Sequence, residues 1–153
     1  MKKIAAWLLT VCLLLLAGCS GGAAKSADLA AVKDSLAAQF KLDEMMALSE
    51  DDLLDMYGIK GEDVKQYAAL IARSSTSADE ILLFEAKDGD AAKRLKEQLD
   101  KRYQAKLNEA KDYLPDEYAK IAACKVAQSG NYVSLIVSSD AEAMAKVYQD
   151  AFK

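Results

Sequence analysis

The apolar positions of this chain fall into two periods, one helical and one extended. Leu29, Val32, Leu36 and Phe40 recur at three- and four-residue steps behind Asp28, which predicts a capped helix with one apolar stripe. Ser49 and Asp52 have the spacing of a reciprocal cap. Glu50, Asp51 and Asp52 suit the positive end of a helix dipole, and Gly58 followed by Ile59 suits a left-handed stop. A short second helix is therefore expected from Ser49. Residues 64–72 carry both patterns: Val64, Tyr67, Ala68 and Ile71 suit a helix, whereas Tyr67, Ala69 and Ile71 suit a strand face. The length of the segment and the polar turn at 74–79 behind it favour a strand. A clear strand follows over 80–87, with Leu82, Phe84 and Ala86 on one side and Glu85 and Lys87 on the other.

Asp88-Gly89-Asp90 breaks that strand and caps the longest predicted helix, about 91–111. Leu95, Leu99, Tyr103 and Leu107 step by four along one face, and Lys93, Glu97 and Lys101 can pair on another. Pro115, the one proline, is expected to end any continuation and open a loop near Tyr113 and Tyr118. A third strand is predicted over 121–128, then a tight turn at Ser129-Gly130-Asn131, then a fourth strand over 132–138 with Val133, Leu135 and Val137 inward. Ser139 and Glu142 have capping-box spacing ahead of a last helix carrying Met144, Val147, Tyr148 and Ala151. The order predicts an α+β domain over 28–153. N-terminal helices precede two ββα units, which form one antiparallel sheet with the helices packed on one face.

That arrangement leaves a second sheet face, bearing Leu83, Glu85, Lys87, Lys125, Tyr132, Ser134 and Ile136. It mixes apolar, charged and hydroxyl side chains. Either the N-terminal helices cover part of it, or it is a shallow binding face; an antiparallel sheet can also leave one face in water.

The segment before residue 28 has a different composition. Met1-Lys2-Lys3 is a short positive head, and Ile4 to Leu16 is an apolar run broken only by Thr10. Those thirteen residues fall short of the roughly 20 that a spanning helix needs. With small residues before a cut, these are the parts of an export signal. The run ends in Leu16-Ala17-Gly18-Cys19, which resembles the lipobox of bacterial lipoproteins. The resemblance implies cleavage after Gly18, with Leu16, Ala17 and Gly18 recognised by the peptidase. It also implies diacylglycerol on the Cys19 thiol. Two acyl chains anchor stably where one is marginal. Residues 1–18 then read as a signal peptide, and 19–27 as the lipidated cysteine and a flexible tether of Ser, Gly, Ala and Lys.

Cleavage would remove two of the 20 basic residues and none of the 24 acidic ones, leaving 18 against 24, a net −6. With no basic block, nucleic acid is not an expected partner, and anionic lipid would not attract the domain, so the lipid must anchor it. The absence of histidine removes Ser-His-Asp, Cys-His and the usual zinc schemes. No phosphate-binding glycine loop is present, and no cofactor or metal is expected. Cys124 would be the only thiol of the folded part. It shares its predicted inner face with Val126, whereas Lys125 points away, so a buried inert thiol is expected. The acidic clusters 50–52 and 88–90 stand where helix caps are needed and lack the regular oxygen spacing of a calcium loop. Among the seven tyrosines, Tyr103 and Tyr148 fall on helix stripes, and Tyr57, Tyr113, Tyr118 and Tyr132 lie near turns or strand ends.

A second resemblance covers most of the mature chain. The lipobox, the Ser-Gly-Gly tether, residues 54–59 (LDMYGI), residues 78–88 (ADEILLFEAKD) and residues 130–133 (GNYV) resemble a family of small Gram-positive lipoproteins. It is known as domain of unknown function family 4358. The resemblance implies a single-membrane envelope and brings no catalytic residues. The expectation is a lipid-anchored, extracytoplasmic and non-catalytic module at the outer face of the cell membrane. It would bind an envelope protein or a wall component. The alternatives are capture of a small solute for a transporter and, behind that, an enzyme using carboxylate or tyrosine chemistry.

Overall fold

The computed structural model describes residues 26–153. Asp28 caps α1 (Leu29–Gln39) by accepting from the Ala30 and Ala31 N–H groups, and Leu29, Val32 and Leu36 are its buried stripe. A three-residue strand, β1 (Met45–Ala47), precedes α2 (Glu50–Tyr57). The reciprocal Ser49–Asp52 box starts α2, and Gly58 stops it at φ 66°. A 3-10 turn (Gly61–Asp63) leads into β2 (Val64–Ala72), followed by β3 (Glu80–Ala86) and the long α3 (Gly89–Tyr113). Then come α4 (Pro115–Ala122), β4 (Val126–Ser129), β5 (Tyr132–Val137) and α5 (Ala141–Asp150).

The strands form one five-stranded sheet in the order β1-β2-β3-β5-β4, with every neighbouring pair antiparallel. The predicted α+β class, the antiparallel sheet and the strand at 64–72 are all present. So are the units β2-β3-α3 and β4-β5-α5, joined through α4.

The helices do not share one face, however. Leu82, Phe84, Val133, Leu135 and Val137 pack with Leu53 and Tyr57 of α2, Leu95 and Leu99 of α3, and Ile121 of α4. Ile81, Leu83, Tyr132 and Ile136 pack on the opposite face with Val32 and Leu36 of α1 and Met144 and Tyr148 of α5. The physical reason lies in the two central strands, where every residue of β3 and of β5 is buried. The run Ile81-Leu82-Leu83-Phe84 is apolar at both parities, the pattern of a strand covered on both sides.

Three boundaries also differ from expectation. Pro115 opens a helix rather than a loop, because proline at the first helical position lacks only an N–H that would be unpaired anyway. The segment from Ile121 is not strand until Val126. Cys124 N–H donates to Ile121 O at 2.9 Å, so these two buried residues take helical rather than alternating spacing. The Ser139–Glu142 box does not form. The Ser138 hydroxyl takes the Asp140 N–H at 3.1 Å, and α5 starts from Asp140 without a side-chain cap.

Candidate functional site

Five of the seven residues expected on the second sheet face lie beneath α1 and α5. Leu83, Glu85, Tyr132, Ser134 and Ile136 are all buried, whereas Lys87 and Lys125 stand exposed beyond the strand ends. The face is therefore a second core, not an open surface. Its polar members are spent on fastening the start of α1. Gln66 accepts from Leu29 N–H at 2.9 Å and donates to Ala27 O at 2.8 Å, and Ala27 N–H donates to the Tyr132 hydroxyl at 3.1 Å. Glu85 takes Lys65 Nζ at 2.7 Å and a short bond from Gln66. Burial pushes the Glu85 carboxyl up. Hydrogen bonds from Lys65, Gln66 and Tyr132 more than reverse this and hold it below the ordinary carboxylate range.

The first core carries a charge cluster of its own. Glu80, fully buried, accepts from the Tyr57 hydroxyl at 2.6 Å and from Arg102 Nη2 at 2.9 Å, with Lys106 Nζ at 3.6 Å. The Arg102 guanidinium also lies over the Tyr57 ring, 5.1 Å from its centre. Burial lowers the Lys106 pKa and raises that of Tyr57, where the adjacent Glu80 charge adds to the effect. The cluster was legible in outline. Glu80 has the inward parity of Leu82 and Phe84, and Arg102 and Lys106 continue the Leu95–Leu99 stripe at three- and four-residue steps. It joins α2, β3 and α3 from within and is enclosed rather than presented to a cleft.

Cys124 is buried, and its Sγ donates to Lys120 O at 3.2 Å. Burial pushes the thiol up, away from the reactive thiolate. The acidic clusters act as caps: Asp52 closes the α2 box, and Asp88 accepts from the Asp90 and Ala91 N–H groups. Among the described residues no three His, Cys, Asp or Glu side chains converge as a metal site would require. None of the described helices is long and apolar enough to cross a membrane. Leu16, Ala17, Gly18 and Cys19 lie outside the described residues. Of the tyrosines, Tyr57, Tyr132 and Tyr148 are core, Tyr103 is half-buried, and Tyr113 and Tyr118 are exposed.

One concavity with an apolar floor and a polar rim lies at the edge of β2, a place the sequence does not mark as a site. A cavity of about 200 Å³ is lined by Glu50 and Leu53 of α2, Ile59 and Gly61 of the return, and residues 64–67 of β2. Leu53 and Ile59 form a buried floor, and the Glu50 carboxylate and Tyr67 stand at the rim. The return segment is pinned on its far side. Arg94 donates to Asp63 from Nε and Nη2, and Lys87 Nζ donates to Gly61 O at 3.2 Å. Two features place the cavity at this edge: a bulge in β2 between Val64 and Gln66, and the capping box that starts α2.

No curated protein and no solved structure matches the chain. One family model does match, over residues 37–138, more than half of the 153. That span runs from the last turn of α1 to the end of β5 and includes all five strands, both buried charge clusters and the edge cavity. The chain therefore belongs to the family described as Domain of unknown function (DUF4358).

Proposed function

We propose that this protein is a lipoprotein of a single-membrane, Gram-positive envelope, held at the outer face of the cell membrane by diacylglycerol on Cys19. We further propose that its folded part is a non-catalytic interaction module. The observation that carries the anchor is the tetrapeptide Leu16-Ala17-Gly18-Cys19 at the end of a thirteen-residue apolar run with a dilysine head. In support of the interaction role, the buried carboxylates are committed to cations, Asp52 and Asp88 to helix starts and the thiol to the core. A surface cavity with an apolar floor stays available at the edge of β2. The partner would be an envelope protein or a wall component, met at the height the tether allows.

The anchor is tested by feeding labelled palmitate to cells that express the wild type or Cys19→Ala. Label on the wild type alone, with the variant left uncleaved, is the expected result, and normal maturation of Cys19→Ala sinks the reading. The interaction role is tested by crosslinking in intact cells, with recovery of one partner near stoichiometric yield as the expected result. The same cavity favours small-solute capture as a second reading, which a bound metabolite in the native mass spectrum would support.

A further inference from the structure

The outer edge of β2 is only partly occupied. β1 fills the lane opposite Leu70, Ile71 and Ala72. Arg73 N–H donates to Glu44 O at 2.8 Å and Leu48 N–H to Ala69 O at 3.0 Å, so residues 69 and 73 bond outward, toward this lane. Ala72 N–H bonds the other way, to Asp79 O beside β3, as strand alternation requires. By the same alternation the Tyr67 N–H and C=O face outward. The residue due opposite Tyr67 is Glu50, but there the Ser49–Asp52 box has turned the chain into α2. No described residue bonds the Tyr67 backbone groups on that side.

The cavity lies in this vacated lane. Residues 64–67 line it, and past the bulge Gln66 and Tyr67 alternate, so their side chains cannot both face it. Gln66 confirms the point, because its side chain is turned to the opposite face to hold Ala27 and Leu29. The cavity thus meets β2 at its hydrogen-bonding edge. It offers one donor and one acceptor on Tyr67, an apolar floor of Leu53, Ile59 and Val64, and an exposed Glu50 carboxylate at the mouth.

We propose that this lane seats an extended peptide segment of a partner protein. The segment pairs with β2 through Tyr67, lays one apolar side chain over Leu53, Ile59 and Val64, and sets a Lys or Arg against Glu50. Main-chain pairing at an open edge supplies affinity and the side-chain pocket supplies selectivity, the logic of strand addition. Glu50, the residue of the first turn of α2 that lines the cavity, sets the charge preference. The other sheet edge, β4, has the exposed Lys125 just before it and the exposed Gln128 within it. The proposal rests on the interaction reading and deepens it.

The test pans a displayed library of random linear peptides against the purified full chain in detergent. The expected result is enrichment of sequences with an apolar residue close to Lys or Arg, whose binding slows exchange of the Tyr67 amide. Two variants should each weaken binding at least about tenfold without altering the far-ultraviolet spectrum. Gly61→Leu fills the cavity from a glycine that lacks a positive φ and whose nearest neighbour is the flexible Glu50 carboxylate. Glu50→Lys reverses the charge at an exposed position and guards against misfolding of the first variant. No enrichment, or peptides whose binding ignores both variants, overturns the proposal. Cell crosslinking separates the two levels. A partner captured equally by wild type and Gly61→Leu keeps the interaction role and removes the seat, whereas no partner with either removes the role itself.

Discussion

The Tyr57 hydroxyl donates to the fully buried Glu80 carboxylate at 2.6 Å and ties the end of α2 to the start of β3. Glu80 also receives Arg102 and lies 3.6 Å from Lys106, so the carboxylate sits among two cations and a phenol. Tyr57→Phe removes a single hydrogen bond to a charged acceptor and should cost about 1.5–3 kcal/mol. Glu80→Ala removes the buried carboxylate that Arg102 and Lys106 face and should cost more, about 3–5 kcal/mol. Urea unfolding of both single variants and the double variant measures this. A double-variant loss equal to the sum of the single losses would show that the pair is not coupled.

Acid should weaken the protein partly through Asp63. The Arg94 hydrogen bond holds the Asp63 carboxyl below its ordinary 3.8, and burial opposes this to a smaller extent. Between the ordinary and the lowered value the unfolded chain binds more protons than the folded one. The Asp63 contribution is therefore complete above about pH 4 and is lost as the pH falls through the folded value. Asp63→Asn should flatten the decline in urea midpoint below about pH 4. An unchanged slope would place the acid sensitivity on other carboxylates.

Gln66 should control the first turn of α1. It holds Leu29 N–H and Ala27 O together, 37 and 39 residues away in the chain. Gln66→Ala should speed amide exchange in that turn by roughly tenfold, equivalent to the loss of about 1–1.5 kcal/mol of hydrogen bonding, and leave α3 unaffected. Uniform acceleration across the sheet would mean that α1 and the sheet open only together.

The glycines should separate by backbone conformation. Gly58 and Gly130 have φ of 66° and 57°, where a Cβ crowds the following carbonyl, so alanine at either should cost about 1–2 kcal/mol. Gly89 begins α3 with no atom within 4 Å of an added Cβ. Gly89→Ala should therefore stabilise by about 0.4–1 kcal/mol through the unfolded chain. Thermal midpoints of the three variants should move down, down and up.

Local signals in the chain predict local structure well. The Ser49–Asp52 box, the Gly58 stop, the Asp88 cap and the 129–131 turn each depend on groups within a few residues, and each forms where the sequence places it. The boundary errors arise where two local patterns compete. Pro115 both ends α3 and begins α4, and Ile121 and Cys124 satisfy a helical step that strand alternation also partly allowed.

The strand and helix alternation, the α+β class and the lipobox motif follow from neighbours along the chain and can be read from it directly. Packing between distant segments settles that α1 and α5 close the second sheet face. Apolar residues at both parities of β3 demand cover on each side but do not say which helices supply it. Such packing likewise settles that Glu85 serves Lys65 and Gln66 rather than solvent, since an acid's fate depends on which cation the fold brings within reach. The vacated lane beside Tyr67 is the clearest case. It exists because β1 stops three residues into its pairing with a nine-residue strand, and the length of a partner strand is a property of the pair.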